Sequence, residues 1–531
     1  MKAIVLSNII QIFKKEEFSL GQFAIFFATA IAFNLYFLSN FTLSIDDEIA
    51  AFRTDPSAWI GQGRWLLYLV EKQLFPQPVL PYVPNVVFCA TMAAAYALLV
   101  RAHDLRDDWR IYFSFPVFCA FPIWPFIAAF YPNLPALSFG VLFVCAAAFL
   151  HSHSPVLAVL LRREAIGSSL ANMTMQAVLL AMALGAYQSL FMLYLAMGLG
   201  VIARAALSGV EDDRFSAANA WRAVWHVCLV GCCALAIYLL ISRIALWLMP
   251  FGTAYIGNFF NLQELVRNPQ GLAYLFLSEM RSYYLVASQK YGGSLSAVPW
   301  LIAIALVAVA MNVRAKQKSV ILFVTLSFFA VLVSPFLLTL ITAIEMPVRA
   351  FVSVPYVIWF LAICALGSKK LVITVASVLV LIALQFQAVR ATGNHAAAVT
   401  IALEQDKLLA ADLYRRMAGL GFDESKPIMI DIFGRRFCKT AYPAPWSSTF
   451  GASFFGWDEG NINRMVRFMR LLGYPKITPL AEKKRLLNTR KFLTMPSWPA
   501  PGSVVKQGDV FLIKLSDKSD FIHARSLPAA R

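Results

Sequence analysis

Charged residues are scarce in this sequence. Only 14% of its 531 residues are Asp, Glu, Lys or Arg, whereas 60% are hydrophobic. A soluble domain usually carries about 25% charged residues, so this chain has too little polar surface to cover a soluble enzyme of its size. The apolar composition also excludes an intrinsically disordered chain, which needs low hydrophobicity. What remains is a polytopic membrane protein, provided that the apolar residues form runs of about 20.

Motifs for metals, disulfides and nucleotides are missing as well. The eight cysteines show no Cys-x-x-Cys or Cys/His ligand spacing, which argues against a disulfide framework and a zinc site. His151 and His153 form a weak metal candidate on the predicted cytoplasmic side of a span. No Walker A motif and no Gly-x-Gly-x-x-Gly opens a βαβ unit, so a soluble nucleotide donor is unsupported. We expect no cofactor, no metal requirement and no nucleic-acid partner.

The apolar residues form runs that predict about eleven membrane-spanning helices. These runs cover residues 20–43, 83–101, 111–130, 135–151, 173–187, 188–206, 223–248, 298–313, 320–343, 350–367 and 371–390. The fifth and sixth are short enough to form a re-entrant hairpin instead. The first run is too long for a cleavable signal and lacks a small-residue cleavage site, so we predict an anchor.

Basic residues predict the orientation. With the N-terminus in the cytoplasm, the predicted cytoplasmic segments carry more Lys and Arg than the opposite side, as the positive-inside rule requires. These include Lys14, Lys15, Arg162, Arg163 and Arg314. An odd number of spans then places residues 391–531 outside the cytoplasm.

The region 391–531 has the pattern of an α/β domain. A polar helix is predicted at 396–418, a strand at 427–433, helices at 459–472 and 480–491, and a hairpin at 504–515. We therefore predict a transmembrane catalytic domain over 1–390 and an extracytoplasmic α/β domain over 391–531. The catalytic domain has two long outer loops, 44–82 and 250–297.

The first outer loop contains a predicted amphipathic helix. Asp55 is a suitable N-cap and Pro56 a suitable first helical residue. Leu66, Leu67 and Val70 then follow helical spacing on one face, as expected for a helix lying along the membrane surface.

Three consecutive acids, Asp46, Asp47 and Glu48, precede this helix. At the level of the lipid phosphates, carboxylates are repelled, and a low dielectric strengthens the repulsion. Such a cluster favours a catalytic role, although a solvated loop or a helix cap is the alternative.

Few basic residues lie on the same predicted side of the membrane. They are Arg64, Arg281, Lys290 and Arg349. An ion pair with Glu71 is the alternative reading of Arg64, and an interface anchor that of Arg349. Carboxylates and basic groups together suit one reaction, in which a carboxylate takes a proton from a hydroxyl nucleophile and a basic group stabilises a departing phosphate.

The stretch SIDDEIAAFRTDPSAWIGQGRWL at 44–66 resembles the serotype-converting O-antigen glucosyltransferases of the Gtr type II class. Through them it resembles the GT-C membrane glycosyltransferases, which have many spans and a catalytic acidic motif in the first outer loop. Weaker similarities are Tyr187-Gln188, Pro347 with Arg349, and Leu472 to Pro475. The sequence departs from the family at Tyr131-Pro132-Asn133, where an acidic residue is expected before the asparagine.

The resemblance implies an inverting hexosyltransferase in the bacterial inner membrane with a periplasmic C-terminal domain. Its donor would be a polyprenyl-phosphate hexose, usually glucose, and its acceptor O-antigen or a related surface glycan. A small flippase and a polyprenyl-phosphate glucosyltransferase would be its functional partners.

The resemblance and the residues together suggest roles for the site. We favour Asp47 as general base, with Asp46 or Glu48 orienting the acceptor. Arg64 or Arg349 would contact the donor phosphate, with Arg281 and Lys290 in reserve. Candidate substrate contacts are Trp59, Gln62, Trp65, Asn133, Tyr187, Gln188, Tyr283 and Tyr284.

Three alternatives stay open. The chain is another lipid-linked glycosyltransferase that acts on protein or lipid or polymerises a glycan, a transporter without chemistry, or a sensor with a polyanion-binding domain. A transporter usually places ionisable residues within its spans, and the predicted spans here are nearly free of them.

Overall fold

A computed structural model of the chain describes most of the sequence. The described residues are 19–76, 81–105, 107–161, 165, 168–211, 217–252, 261, 263–286, 290–313, 318–423, 425–442 and 451–525. Several basic residues used for the orientation, Lys14, Lys15, Arg162, Arg163 and Arg314, lie outside them.

The chain divides into two compact units. We call residues 1–41, 54–76 and 80–392 the transmembrane unit, and residues 42–53, 77–79 and 393–531 the α/β unit. The acidic triplet therefore packs with the C-terminal region, whereas the sequence predicts that the whole loop 44–82 belongs to the transmembrane domain.

Long apolar helices form the transmembrane unit. Among the described residues, seven are long and apolar enough to cross a membrane: Val83–Ala102, Leu134–Ser152, Ser169–Ala186, Leu190–Leu207, Ala217–Leu248, Lys318–Thr342 and Leu371–Gly419. Three shorter apolar helices are Leu20–Phe33, Ala297–Val313 and Val354–Leu366. The chain is thus a helical polytopic membrane protein, and the count of eleven spans stays a prediction.

Shorter helices connect or extend these segments. They are Leu35–Ser39, Ala58–Gly61, Trp65–Gln73, Trp109–Cys119, Trp124–Ala128, Pro155–Leu161, Glu264–Arg267 and Pro269–Tyr284. The long segment Lys318–Thr342 itself consists of the α-helices Lys318–Val333 and Leu337–Thr342, joined by a 3-10 turn. Two short 3-10 turns lie at Ser334–Phe336 and Val348–Ala350.

Two predicted spans are interrupted. The first helix ends at Phe33, where the Asn34 side chain donates a hydrogen bond to the Ala30 carbonyl at 2.9 Å. The predicted span 111–130 is a helix that ends at Cys119 and a short helix that begins at Trp124. Pro122 explains this break, because proline disfavours helical backbone at the preceding residue. By contrast, the predicted fifth and sixth spans are full helices, which favours crossing over a re-entrant hairpin.

The predicted amphipathic helix is also two helices, Ala58–Gly61 and Trp65–Gln73. Gly63 lies between them with φ of +68°, a left-handed conformation that glycine adopts without steric cost. Leu67, Tyr68 and Glu71 of the second helix are buried, whereas Leu69 is 45% exposed and Lys72 is also exposed. One side of this helix therefore packs inside the unit, and its position along the membrane surface stays a prediction.

A four-stranded sheet forms the core of the α/β unit. Its strands are β1 (Ile428–Phe433), β2 (Ile477–Pro479), β3 (Val504–Gln507) and β4 (Val510–Lys514). The order is β2-β1-β4-β3, in which β1 is parallel to β2 and β4, and β3 is antiparallel to β4. This confirms the predicted strand and hairpin.

Helices pack around this sheet. They are Asp47–Ala50, Ile462–Leu471, Glu482–Thr494 and Phe521–Ala524, together with the residues of Leu371–Gly419 that follow Thr392. The helix Leu371–Gly419 is 49 residues long. It includes the predicted span 371–390 and the predicted polar helix 396–418 without a break between them.

The acidic segment is attached to this core by an apolar residue. Ile45 is buried in the same cluster as Ile430 of β1 and Met465 of the helix Ile462–Leu471. Hydrophobic burial therefore fixes the backbone immediately before the three acids.

Candidate functional site

A tight turn carries the acidic triplet. The Ser44 N–H donates to Asp47 Oδ2 at 2.8 Å, and the Asp46 N–H donates to Glu48 Oε2 at 2.9 Å. Asp46 has φ of +85°, a left-handed conformation that is costly for a residue with a Cβ. The carboxylates thus cap the turn that presents them, and the turn holds them in one arrangement.

Arg464 binds this turn from the helix Ile462–Leu471. Its guanidinium donates to Glu48 Oε1, to Asp46 Oδ1 at 3.1 Å and to Asp458 Oδ2 at 2.6 Å. The Arg464 side chain is 7% exposed and that of Glu48 is 0% exposed. One buried guanidinium therefore faces three carboxylates, and the cluster has an excess of negative charge.

Asp47 differs from its neighbours. Its Oδ1 is buried and has no hydrogen-bond partner among the described residues. Burial raises the pKa of Asp47 well above its usual value, and the charges of Glu48 and Asp46 raise it further. A buried carboxyl with an unused oxygen and a raised pKa is typical of a catalytic acid or base.

The other two acids are in different environments. Burial raises the pKa of Glu48 to about 7, although Arg464 acts in the opposite direction. The Asp46 side chain is 55% exposed, so it is the member of the triplet that solvent reaches.

In the transmembrane unit, Arg64 lies between two aromatic rings. Its guanidinium carbon is 5.6 Å from the Trp59 ring centroid and 5.2 Å from that of Tyr187. Its Nε is buried and has no hydrogen-bond partner within the described part of the chain. The turn at Gly63 positions this side chain, because Arg64 is the residue directly before the helix Trp65–Gln73.

Other predicted contacts surround Arg64. The Gln188 side chain donates to the Gln62 carbonyl at 2.7 Å and to the Tyr238 hydroxyl at 3.2 Å. The Trp59 indole donates to Glu71 at 2.6 Å. A Cβ on Gly185 would clash with the ring of Trp65, so that ring packs directly on the Gly185 backbone.

The structure thus brings together six residues named from the sequence. They are Trp59, Gln62, Arg64, Trp65, Tyr187 and Gln188. We call this group the Arg64 cluster.

The remaining cations have different surroundings. Arg349 lies 5.0 Å from the Phe130 ring centroid, and Asn133, three residues after Phe130, has a buried Oδ1 without a partner among the described residues. Arg281 is exposed. Lys290 is paired with Glu279 at 3.1 Å and Glu345 at 2.5 Å, so two carboxylates already oppose its charge.

Tyr283 and Tyr284 are buried and pack against Phe336. The Tyr284 hydroxyl donates to the Leu332 carbonyl at 2.9 Å. Their rings are therefore not accessible for stacking on a sugar in this structure.

The metal candidate from the sequence has a different partner. His151 Nδ1 lies 3.3 Å from His226 Nδ1, and His153 faces the Phe149 carbonyl at 2.9 Å. No group of three or more His, Cys, Asp or Glu among the described residues is placed to hold a metal ion.

Arg464 is the member of the candidate site that the sequence does not indicate. It lies more than four hundred positions after the acids it binds, in a region of ordinary polar helix pattern. An acidic cluster does demand a cation, but nothing in the sequence indicates which Arg or Lys supplies it.

The family comparison covers both groups of candidate residues. The family model described as Glucosyl transferase GtrII matches residues 35–366, which include the acidic triplet, the Arg64 cluster and Arg349. Comparison with curated protein sequences and with solved structures gives no match. The match spans more than half of the chain, so the protein belongs to the GtrII glucosyltransferase family and is a membrane glycosyltransferase.

Proposed function

We propose that the protein transfers a hexose, expected to be glucose, from a polyprenyl phosphate to O-antigen or a related surface glycan. The reaction takes place on the periplasmic side of the bacterial inner membrane. The observation that carries the proposal is the acidic turn at Asp46–Glu48, which lies inside the family match and holds one carboxyl, Asp47, with an unused oxygen and a raised pKa.

Asp47 is the proposed general base. The acceptor hydroxyl oxygen attacks the anomeric carbon, the bond from that carbon to the phosphate oxygen breaks, and its electron pair leaves with the polyprenyl phosphate. The hydroxyl proton passes to Asp47, whose raised pKa makes its ionised form a stronger base than an ordinary carboxylate. Attack opposite the leaving group inverts the anomeric centre.

Asp46 and Glu48 have supporting roles in this proposal. The half-exposed Asp46 accepts a hydrogen bond from the acceptor sugar. Glu48 is a positioning residue, because its carboxylate is held between Arg464 and the Asp46 N–H.

Arg64 is the proposed ligand of the donor phosphate, with Arg349 as second candidate. A guanidinium forms strong charge-assisted hydrogen bonds to phosphate, and the buried Nε of Arg64 is without a partner among the described residues. The rings of Trp59 and Tyr187 fix the guanidinium plane. Lys290 is less suited to bind the phosphate, because its ion pairs with two carboxylates would first have to break.

The proposed donor implies two partner activities. A polyprenyl-phosphate glucosyltransferase makes the lipid-linked sugar on the cytoplasmic side, and a small flippase moves it across the membrane.

Mass spectrometry of the surface polysaccharide tests the proposal. Cells that carry the gene and the two partner activities are expected to gain one hexose per repeating unit. Cells with an Asp47→Asn variant at equal membrane abundance serve as the control and should lack the gain. An unmodified polysaccharide in cells with abundant wild-type protein would contradict the proposed acceptor.

A further inference from the structure

The α/β unit contains a cavity of about 360 Å³ that the proposed chemistry does not use. Its lining includes Pro479, the last residue of β2, residues 480–482, which directly follow it, and residues 520–522, which follow β4. The cavity therefore lies beyond the carboxyl ends of the parallel strands, the position where open α/β sheets bind ligands. Its volume is within the range of roughly 300–1,000 Å³ for small-molecule sites.

Hydrogen-bond donors and acceptors both line this cavity. Acceptors are the carboxylates of Asp458 and Glu482, whose side chains are 44% and 54% exposed. Donors include the amide side chains of Asn461 and Asn463 and the first N–H groups of the helix Glu482–Thr494, which has no side-chain cap.

The charge of the cavity disfavours an anion. Arg485 is the one described basic residue in the lining, and it is 3% exposed and paired with Asp431 at 2.8 Å and Asp520 at 3.2 Å. Asp458 is paired with Arg464 at 2.6 Å and Glu482 with Arg525 at 2.6 Å. Each of these arginines thus already faces a carboxylate, which leaves it less able to bind a phosphate. A hydroxyl group, in contrast, donates to carboxylates and accepts from amides.

An exposed aromatic ring completes the lining. Phe521 is 51% exposed, and the Arg525 guanidinium lies 4.3 Å from its ring centroid and fixes its orientation. An apolar ring beside several hydrogen-bonding groups suits the alternating C–H and hydroxyl surface of a pyranose. We infer that this cavity binds a neutral sugar residue of the acceptor glycan.

One residue connects the cavity to the acidic turn within the same unit. Asp458 lines the cavity and accepts two hydrogen bonds from Arg464, which also binds Asp46 and Glu48. A sugar that donates to Asp458 therefore binds next to the ion-pair network of the proposed base. The inference rests on the proposed function, and it adds the site that selects the acceptor.

Steady-state kinetics of the full chain in lipid nanodiscs test this inference. The acceptor probe is the repeat-unit oligosaccharide released from the surface polysaccharide of the producing cells. Phe521→Ala and Asn463→Ala are each expected to raise the KM for this oligosaccharide by about tenfold, the effect of losing one good contact. The rise is expected in KM rather than in kcat, because the acids and the Arg64 cluster are unchanged.

Leu487→Ala is the matched control, since Leu487 is 82% exposed on the helix Glu482–Thr494 and does not line the cavity. A wild-type KM in both cavity variants would overturn the inference and leave the proposed function intact. Absence of transfer by the wild-type protein would instead contradict the proposed function.

Binding is then measured without catalysis, by saturation-transfer NMR with methyl α-D-glucopyranoside, methyl α-D-mannopyranoside and inorganic phosphate as separate probes. The inference predicts a sugar signal that Phe521→Ala abolishes and Leu487→Ala retains. Displacement of the sugar by phosphate, or a signal that survives Phe521→Ala, would overturn it and favour an anion site or another surface.

Discussion

Removing the Arg464 guanidinium leaves the buried Glu48 carboxylate without its cation. In Arg464→Gln, the turn at Asp46–Glu48 loses its attachment to the helix Ile462–Leu471. Breaking one side of a buried ion pair costs about 3–5 kcal/mol. Asp46 and Asp458 add little to this cost, because their side chains are 55% and 44% exposed and water replaces the arginine.

The loss of stability is confined to the α/β unit, so it must be measured at the residues of that unit. We expect the opening free energy of the α/β unit to fall by about 3–5 kcal/mol. Amide hydrogen exchange in β1 and in the helix Ile462–Leu471 should then be roughly 10²- to 10⁴-fold faster. Exchange in the helix Val354–Leu366 of the transmembrane unit should not change. Mass spectrometry of the full chain in nanodiscs measures the exchange in all three segments.

Two further variants separate the ion pair from a general effect of substitution. Arg467→Gln alters an exposed arginine of the same helix and should exchange like wild type. The double variant Glu48→Gln with Arg464→Gln removes both charges and should recover part of the protection, because no buried charge is then left unpaired. Wild-type exchange in Arg464→Gln would refute the role of this ion pair.

Two more predictions concern the donor phosphate and the topology. Arg64→Ala or Arg349→Ala is expected to lose about 2–4 kcal/mol of transition-state stabilisation. Lysine at the same position should not restore the activity, because it cannot form the bidentate contact of an arginine. Full transferase activity in both alanine variants would reject the assigned phosphate ligands. In a chain whose native cysteines are replaced, a single cysteine at position 420 should react with a membrane-impermeant thiol reagent added from the periplasmic side, and one at position 316 should not. The reverse pattern would place the C-terminal region in the cytoplasm.

Most of the helices and strands are predictable from apolar runs and turn residues. The hairpin at 504–515 is predictable, because alternating apolar residues flank a turn that contains Gly508. Breaks were harder to predict. The first helix ends where the Asn34 side chain donates to the Ala30 carbonyl, and Gly63 divides a segment whose apolar spacing is helical throughout.

Hydropathy also predicts two helices where the structure has one continuous helix. The change from apolar to polar residues near 390 suggested a span followed by a separate helix, but no proline interrupts the segment, and Leu371–Gly419 is continuous. Periodicity reports which residues are buried, and a helix continues across a change of environment if no residue breaks it.

The candidate site was predictable where its residues are close in sequence or share a family pattern. Asp46–Glu48 and Trp59–Arg64 are of this kind, and Tyr187 was named from its pattern although it lies far along the chain. The contact of Arg464 with Glu48 depends on tertiary packing over more than four hundred positions. No local rule selects that arginine among the 46 Lys and Arg of the chain.

We propose that an acid of the turn at Asp46–Glu48 is the base, and that this acid is Asp47. The most direct measurement is the rate of sugar transfer against pH for the wild type, Asp46→Asn, Asp47→Asn and Glu48→Gln, each with its membrane abundance checked. An ordinary carboxyl with a pKa near 4 is ionised throughout the neutral range. Asp47 has a raised pKa, so it keeps its proton to higher pH and becomes a base only above its own pKa.

We therefore predict that the wild-type rate rises with pH over a range well above pH 4, and that Asp47→Asn loses about 10²- to 10⁴-fold in rate. A wild-type rate that is flat down to pH 5, together with loss of activity in Asp46→Asn alone, would assign the base to Asp46 instead. Wild-type rates in all three variants would contradict the claim that this turn is catalytic.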